Sequence, residues 1–330
     1  MMKAAVVGAN GIEVSKVPRP VIGAEQMLVQ VHSAALNRAD LAIAAGHRHG
    51  QAGGAGAVAG LEWAGEVVEV GPQVSGFQPG DRVMCAGAGG YAEYAVADPV
   101  RTHLIPATTA LGNGMSYADA ACLPVALSTM HDALVTLGGL QSGKSVLIQG
   151  ASSGVGIIGM QIARHLGASL VIGTSTNPGR RQQLLDYGAQ QVVDPGEADW
   201  HKQVLAATRE QGVDLIVDQV SGGVANANMR ATRITGTIVN VGRLGGMHGD
   251  FDFDLHALRR INYIGATFRT RSRAEVAQIN EVMRRDLWAG VEAGAFKIPI
   301  DREFALDDAP AAQAYMAANQ HFGKILLAVR

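Results

Sequence analysis

From residue 142 onward, short apolar, β-rich runs alternate strictly with segments whose apolar residues recur at threes and fours. The runs near 145–149, 169–174, 191–194, 213–219, 236–241 and 262–268 predict six strands. Helical segments between successive strands imply a doubly wound parallel α/β sheet. The first 122 residues follow another rhythm, with short strand-like runs at 3–7, 26–34, 63–70, 82–85 and 92–96. Turns such as Gly71-Pro72 and Gln78-Pro79-Gly80-Asp81 punctuate them. A helical period takes over at Tyr117 and runs to Leu137. The tail mixes both patterns, with a helix near 273–294, a strand at 298–304, a helix at 307–318 and a last strand at 324–329. A β-rich first part whose core the tail completes implies a second domain and a cleft between the two, where cofactor sites usually lie.

The richest stretch is 144–174, KSVLIQGASSGVGIIGMQIARHLGASLVIGT. Strand, small-residue turn, helix and strand follow one another as a βαβ unit with a dinucleotide-type phosphate turn. The turn Gly150-Ala151-Ser152-Ser153-Gly154-Val155-Gly156 has a physical reason for each small residue. Ala151 turns the chain, Ser153 lets the backbone approach a pyrophosphate, and Gly156 lets the helix sit against the strand. The strict pattern has glycine at all three places, and only Gly156 keeps it. Amides opening the helix then point at phosphate oxygens, favoured by the helix dipole.

The nucleotide is read at the end of the second strand, where an acid holds the ribose hydroxyl of NAD and neutral or basic groups suit NADP. Here the sequence is Gly173-Thr174-Ser175-Thr176-Asn177-Pro178-Gly179-Arg180-Arg181, with no acid before Asp186. Hydroxyls at Thr174 and Ser175 and the fork of Arg180 suit a 2′-phosphate. NADPH is the expected cofactor.

Length and composition narrow the class. A chain of 330 residues holds two domains with substantial cores. Abundant glycine, few aromatics and modest charge fit tight α/β packing. A net charge of −2 without a basic run leaves no electrostatic footprint for nucleic acid or anionic membrane. Cys85 and Cys122 read as reduced thiols of a cytoplasmic protein. No signal-peptide pattern opens the chain, and no apolar run is expected to reach transmembrane length.

Several short motifs now line up in order: Asn37-Arg38-Ala39-Asp40, Gly60-Leu61-Glu62-Trp63-Ala64-Gly65, Gly71-Pro72-Gln73-Val74, Gly80-Asp81-Arg82-Val83, Gly90-Tyr91-Ala92-Glu93-Tyr94, the GASSGVG turn and Phe322-Gly323-Lys324-Ile325. Together they resemble, end to end, the zinc-independent quinone oxidoreductases of the medium-chain dehydrogenase/reductase superfamily, the zeta-crystallin-like group. The stretch Phe268-Arg269-Thr270-Arg271-Ser272 further resembles the p53-inducible branch. The resemblance implies a GroES-like, β-rich catalytic domain at 1–122 and 269–330. It implies a Rossmann NADPH-binding domain at 123–268.

In zinc-dependent relatives a histidine follows the glycine of the Gly60 motif. Here Leu61 stands there, and two distant cysteines cannot form a Cys₄ site. No metal site is expected. Without a Lewis acid, simple alcohol chemistry is disfavoured. Quinones and alkenes conjugated to a carbonyl activate themselves, so the protein chiefly has to position them and exclude water.

By resemblance, Asn37 and Asp40 lie near substrate and nicotinamide, although both residue types also brace loops. Thr129 matches a threonine near the nicotinamide, with an ordinary helix hydroxyl as its alternative. Gly242 matches the place where the backbone passes the nicotinamide. Lys324 either reaches the cofactor or is a solvated strand lysine. Many relatives carry a tyrosine shortly after the Asn-x-x-Asp motif. Here Arg48 stands nearest that place, either in a mobile polar loop or in contact with an anionic substrate or the acceptor oxygen. Pro195 replaces another tyrosine of some relatives, which weakens the NADPH reading without reversing it. His131 is the one histidine worth testing as a proton donor. The leading activity is NADPH-dependent quinone reduction. The alternatives are enoyl-thioester reduction and a low-turnover NADPH-binding structural or interaction protein. The apolar run Asn262–Phe268 is expected at a sheet edge, and relatives pair such edges across a two-fold axis, which implies a homodimer.

Overall fold

A computed structural model describes residues 1–50, 52–109 and 114–330. The chain divides into two compact units, one comprising Met1–Val125, Phe268–Gly294 and Ile298–Arg330, the other Ala126–Thr267 with Ala295–Lys297.

In the first unit a seven-stranded sheet runs in the order Ile300–Ala305, Lys324–Ala328, Met27–Ala35, Trp63–Val70, Arg82–Cys85, Thr102–Leu104, with Tyr94–Ala97 also paired to Met27–Ala35. This is the GroES-like part of the fold. Its core joins Val29, Val31, Trp63, Val67 and Tyr91 to Leu306, Ala312 and Met316 of the tail, so the last residues complete a core begun by the first. Several elements here were not expected. A strand Gly11–Val17 pairs antiparallel with Met2–Gly8 through a turn at Ala9-Asn10, with Gly11, just after it, at φ 116°. A helix Arg38–Ala44 starts at Asn37. Within the predicted polar loop, Arg48–His49 pairs with Ala52–Gly53, although Gln51 lies outside the described residues.

The second unit is a six-stranded parallel sheet in the order Gln191–Val193, Leu170–Thr174, Ser145–Gln149, Val213–Asp218, Thr232–Asn240, Asn262–Gly265. That is the doubly wound Rossmann order, and the expected α/β fold class holds. Leu147, Ile172, Ile216 and Ile238 pack against Trp200, Val204 and Met229 from the helices, which cover strands that read as near-continuous apolar runs. The chain reverses its strand order between Ser145–Gln149 and Val213–Asp218, and ligands of such sheets bind at the carboxyl ends around that point.

One expectation needs correcting. The run Tyr117–Leu137 is long and apolar enough, by length and composition, to cross a membrane, but 72% of its apolar window is buried within the protein. It is also not one regular helix. It is helical over Tyr117–Ala121 and Pro124–His131 and widens to a π-helical turn over Asp132–Leu137. Pro124 disfavours α geometry at Leu123 and explains the first break.

Candidate functional site

In the second unit the phosphate turn is built as a helix N-terminus. Ser153 caps the helix Gly154–His165, its Oγ accepting from the Gly156 N–H at 3.0 Å and donating to Gln219 Oε1 at 3.0 Å. Ile157 N–H donates to the Ser153 carbonyl. The amides of Gly154 and Val155, the first two of the helix, have no intrahelical acceptor and suit phosphate oxygens. A Cβ at Gly156 would lie 2.7 Å from Ala151 Cα, so only glycine lets the helix pack this closely on the turn. Gly150 takes φ 69°, which sets the chain direction into Ala151. Ser152 is half-buried beside them. These features fit a dinucleotide pyrophosphate.

Gln219, which the sequence reading passed over, ties this turn together. Its Nε2 donates to the Gln149 carbonyl at 3.2 Å, and its backbone packs against Gly242, where a Cβ would meet the Gln219 carbonyl oxygen at 2.6 Å. Gly242 is therefore required for a close approach between the ends of two neighbouring strands.

The end of the second strand differs in detail from expectation. Thr174 is fully buried, its hydroxyl donating to Gln149 Oε1 at 2.7 Å and accepting from the Gly150 N–H at 3.0 Å. It braces the turn and is not available to a ribose phosphate. Ser175 is nearly buried, and Arg180 lies half-buried in the short helix Pro178–Gln183 that Asn177 caps. Arg181 pairs with Asp194 at 2.7 Å, while Asp194 also accepts from the Gly196 N–H. Asp194, an acid close to this strand end, is thus already committed.

The first unit gathers Asn37 and Asp40 with Lys324, distant from both in sequence, and with Glu62 and Tyr91. Lys324 is 3% exposed. Its ammonium donates to Glu62 Oε2 at 2.5 Å, Asn37 Oδ1 at 2.9 Å and the Leu36 carbonyl at 3.4 Å. Neither sequence alternative for Lys324 describes this, since all three donors are spent inside the protein. Asn37 Nδ2 donates to Glu62 Oε2 at 3.1 Å, and Glu62 Oε1 accepts from the Val125 N–H at 2.7 Å. Glu62 is fully buried and escaped the sequence reading.

Below this group, Asp40 Oδ2 accepts from the Asn37 N–H at 2.8 Å and from Tyr91 Oη at 2.9 Å, while Oδ1 has no partner among the described residues. Burial pushes the Asp40 carboxyl up to about 7, against the pull of its two hydrogen bonds and of Lys324. Burial and the Asp40 charge hold the Tyr91 phenol well above its usual range. Asp40 therefore braces the loop into the helix Arg38–Ala44.

Other candidates stand apart from these clusters. Arg48 is exposed on its small hairpin, and its side chain makes no hydrogen bond or ion pair among the described residues. Thr129 is half-buried in the helix Pro124–His131, and its hydroxyl bonds to no described group. His131 is fully buried. Leu61 packs on the apolar core of the first unit. Among the described residues no three His, Cys, Asp or Glu side chains are grouped to hold a metal ion. Both thiols are buried and unpaired, and burial pushes Cys85 up to about 12.

Comparison with known proteins agrees with this architecture. A model described as alcohol dehydrogenase GroES-like domain matches residues 23–107, and one described as zinc-binding dehydrogenase matches 154–285. The chain is 28% identical over 318 residues to the quinone oxidoreductase of Rattus norvegicus, covering 95% of this chain and 92% of that protein. It is 30% identical over 313 residues to a phenolphthiocerol synthesis polyketide synthase type I of Mycobacterium marinum, covering 93% of this chain but only 14% of that much longer protein. The crystal structure of an alcohol dehydrogenase superfamily protein from Novosphingobium aromaticivorans superposes with TM-score 0.87 at 29% identity, covering 100% of both chains.

A GroES-like sheet and a six-stranded parallel sheet in one chain, with an NAD(P)-type phosphate turn, define the medium-chain dehydrogenase/reductase superfamily of oxidoreductases, to which this chain belongs. Within it the chain is similar both to the quinone oxidoreductase of Rattus norvegicus and to a segment of the polyketide synthase.

Proposed function

We propose that this protein reduces quinones or related conjugated carbonyl compounds with NADPH, without a catalytic metal. The observation that carries the reading is Leu61, an apolar side chain packed on the core at the place where a zinc ligand would be needed. With no Lewis acid to polarise it, an acceptor must delocalise the incoming negative charge itself. The cofactor supplies a hydride equivalent when bound.

The chain's own residues bind and orient. Gly154 and Val155 amides hold the pyrophosphate, with Ala151, Ser152, Ser153 and Gly156 shaping the turn. Ser175 and Arg180 receive the 2′-phosphate, a choice supported by the engagement of Asp194 with Arg181 and the Gly196 amide. Gly242 lets the backbone pass the nicotinamide, and the hydroxyl of Thr129 is available beside it. Asn37 orients the acceptor, and Arg48, exposed on its hairpin, contacts an acidic one. We also propose a cytoplasmic homodimer. The buried, unpaired thiols accord with a reducing compartment. The strand Asn262–Gly265 closes one side of its sheet and pairs only with Thr232–Asn240 among the described residues.

The polyketide synthase match favours a second reading, enoyl-thioester reduction. NADPH oxidation measured against a panel of quinones, enones and enoyl thioesters separates the two. Turnover highest with quinones supports the first reading, turnover confined to thioesters the second, and no turnover with any acceptor overturns both.

A further inference from the structure

Asn37 presents an amide whose two ends are chemically different but nearly the same shape, so something must decide which end points where. The buried pair beside it does so. Oδ1 faces the Lys324 ammonium at 2.9 Å, and Nδ2 faces Glu62 Oε2 at 3.1 Å. Turning the amide over would set its NH₂ against an ammonium and its oxygen against a carboxylate, in a place that is almost free of water.

The pair is itself anchored at both ends. Lys324 opens the strand Lys324–Ala328, its N–H donating to the Pro299 carbonyl, while Glu62 Oε1 is fixed by the Val125 amide. The Asn37 backbone is fixed independently, by Asp40 Oδ2 and thereby Tyr91. Backbone and side chain of Asn37 are thus held by two separate sets of contacts.

We infer that Lys324 and Glu62 are positioning residues that set the orientation of the Asn37 amide for the acceptor. This rests on the function proposed above, in which Asn37 meets the acceptor. It differs from a cofactor contact by Lys324, because the ammonium has no donor left to offer.

The test is a double-mutant cycle in the full-length protein, with NADPH and a quinone, reading kcat separately from the NADPH dissociation constant. Asn37→Ala and Lys324→Met should each lower kcat by roughly 10- to 100-fold, the scale of a misplaced orienting group. Lys324→Met should leave NADPH binding within about twofold, and in the Asn37→Ala background it should cost nothing further. Glu62→Gln/Lys324→Met, which leaves no buried charge of this pair alone, covers the case in which Lys324→Met does not fold. It should show the same loss of kcat and the same lack of further effect in the Asn37→Ala background. Additive losses of kcat, or an NADPH affinity that falls in step with kcat, would overturn the positioning role and leave the proposed function standing. Wild-type kcat in Asn37→Ala would instead remove Asn37 from the proposed site, and the positioning role with it.

Discussion

Replacing Asp40 by asparagine should change how the stability of the first unit depends on pH. The wild-type carboxyl is fully buried, and its pKa rises from 3.8 to about 7 on folding. The folded chain therefore holds this proton more tightly than the unfolded chain does. The resulting stabilisation is complete below pH ~4, declines as the pH rises, and is lost once the pH has passed ~7. That rise in pKa corresponds to ~4 kcal/mol in full, of which ~2–3 kcal/mol falls between pH 5 and 8.5. Asparagine keeps a carbonyl oxygen for the Asn37 N–H and Tyr91 Oη. Its NH₂ would replace Oδ1, which has no partner, so a buried donor goes unpaired at a pH-independent cost of about 1–3 kcal/mol. Glu62 and Lys324, the charged neighbours, are common to both proteins. The difference in stability between variant and wild type should therefore move in favour of the variant by ~2–3 kcal/mol from pH 5 to pH 8.5. Urea unfolding followed by Trp63, which shares a core with Tyr91, reads this unit once Trp200 and Trp288 are replaced by phenylalanine. A difference that stays constant across that range would refute the buried-proton argument.

Other consequences follow from the nucleotide unit. Arg180→Ala should weaken NADPH by about 10- to 100-fold, the worth of a charge-assisted contact, and leave NADH nearly unchanged. Equal losses in titrations of the two cofactors would refute a 2′-phosphate role. Gly156→Ala forces a Cβ to within 2.7 Å of Ala151 Cα. It should lower stability by about 1–3 kcal/mol and impair dinucleotide binding, checked by thermal unfolding with and without NADPH. Ile264→Pro, on the strand at the sheet edge, should turn a dimer into monomer or aggregate. A wild-type monomer at micromolar concentration by sedimentation would contradict the assembly.

The central parallel strands Ser145–Gln149, Leu170–Thr174 and Val213–Asp218 were legible because they are buried, near-continuous apolar runs, and the phosphate turn because its small residues lie contiguously between strand and helix. The strand Gly11–Val17 was not. In its sequence, GIEVSKV, only Ile12 is buried and the rest is exposed or half-buried, so tertiary pairing rather than pattern makes it a strand. The helix Arg38–Ala44 is short and amphipathic, and its start at Asn37 reads equally well as a loop. The pairing of Glu62 with Lys324 spans 262 residues, and no local rule reaches so far. A hint was present nonetheless. Lys324 opens the apolar run Ile325-Leu326-Leu327, and Glu62 lies between Leu61 and Trp63, so each charge sits where burial would demand a partner. Thr174 shows the opposite limit. A hydroxyl of the expected type stood at the expected place, but the strand twist turned it inward onto Gln149, and sequence does not report side-chain direction at a strand end.

The central claim is metal-free reduction of a self-activating acceptor, and one measurement addresses it directly. The protein is dialysed against a strong chelator, its metal content checked by elemental analysis, and NADPH oxidation by a quinone compared with NADP⁺ reduction by simple primary and secondary alcohols. The account predicts an undiminished quinone rate and no alcohol oxidation. Loss of the quinone rate on chelation with recovery on added zinc, or alcohol oxidation at a comparable rate, would contradict it.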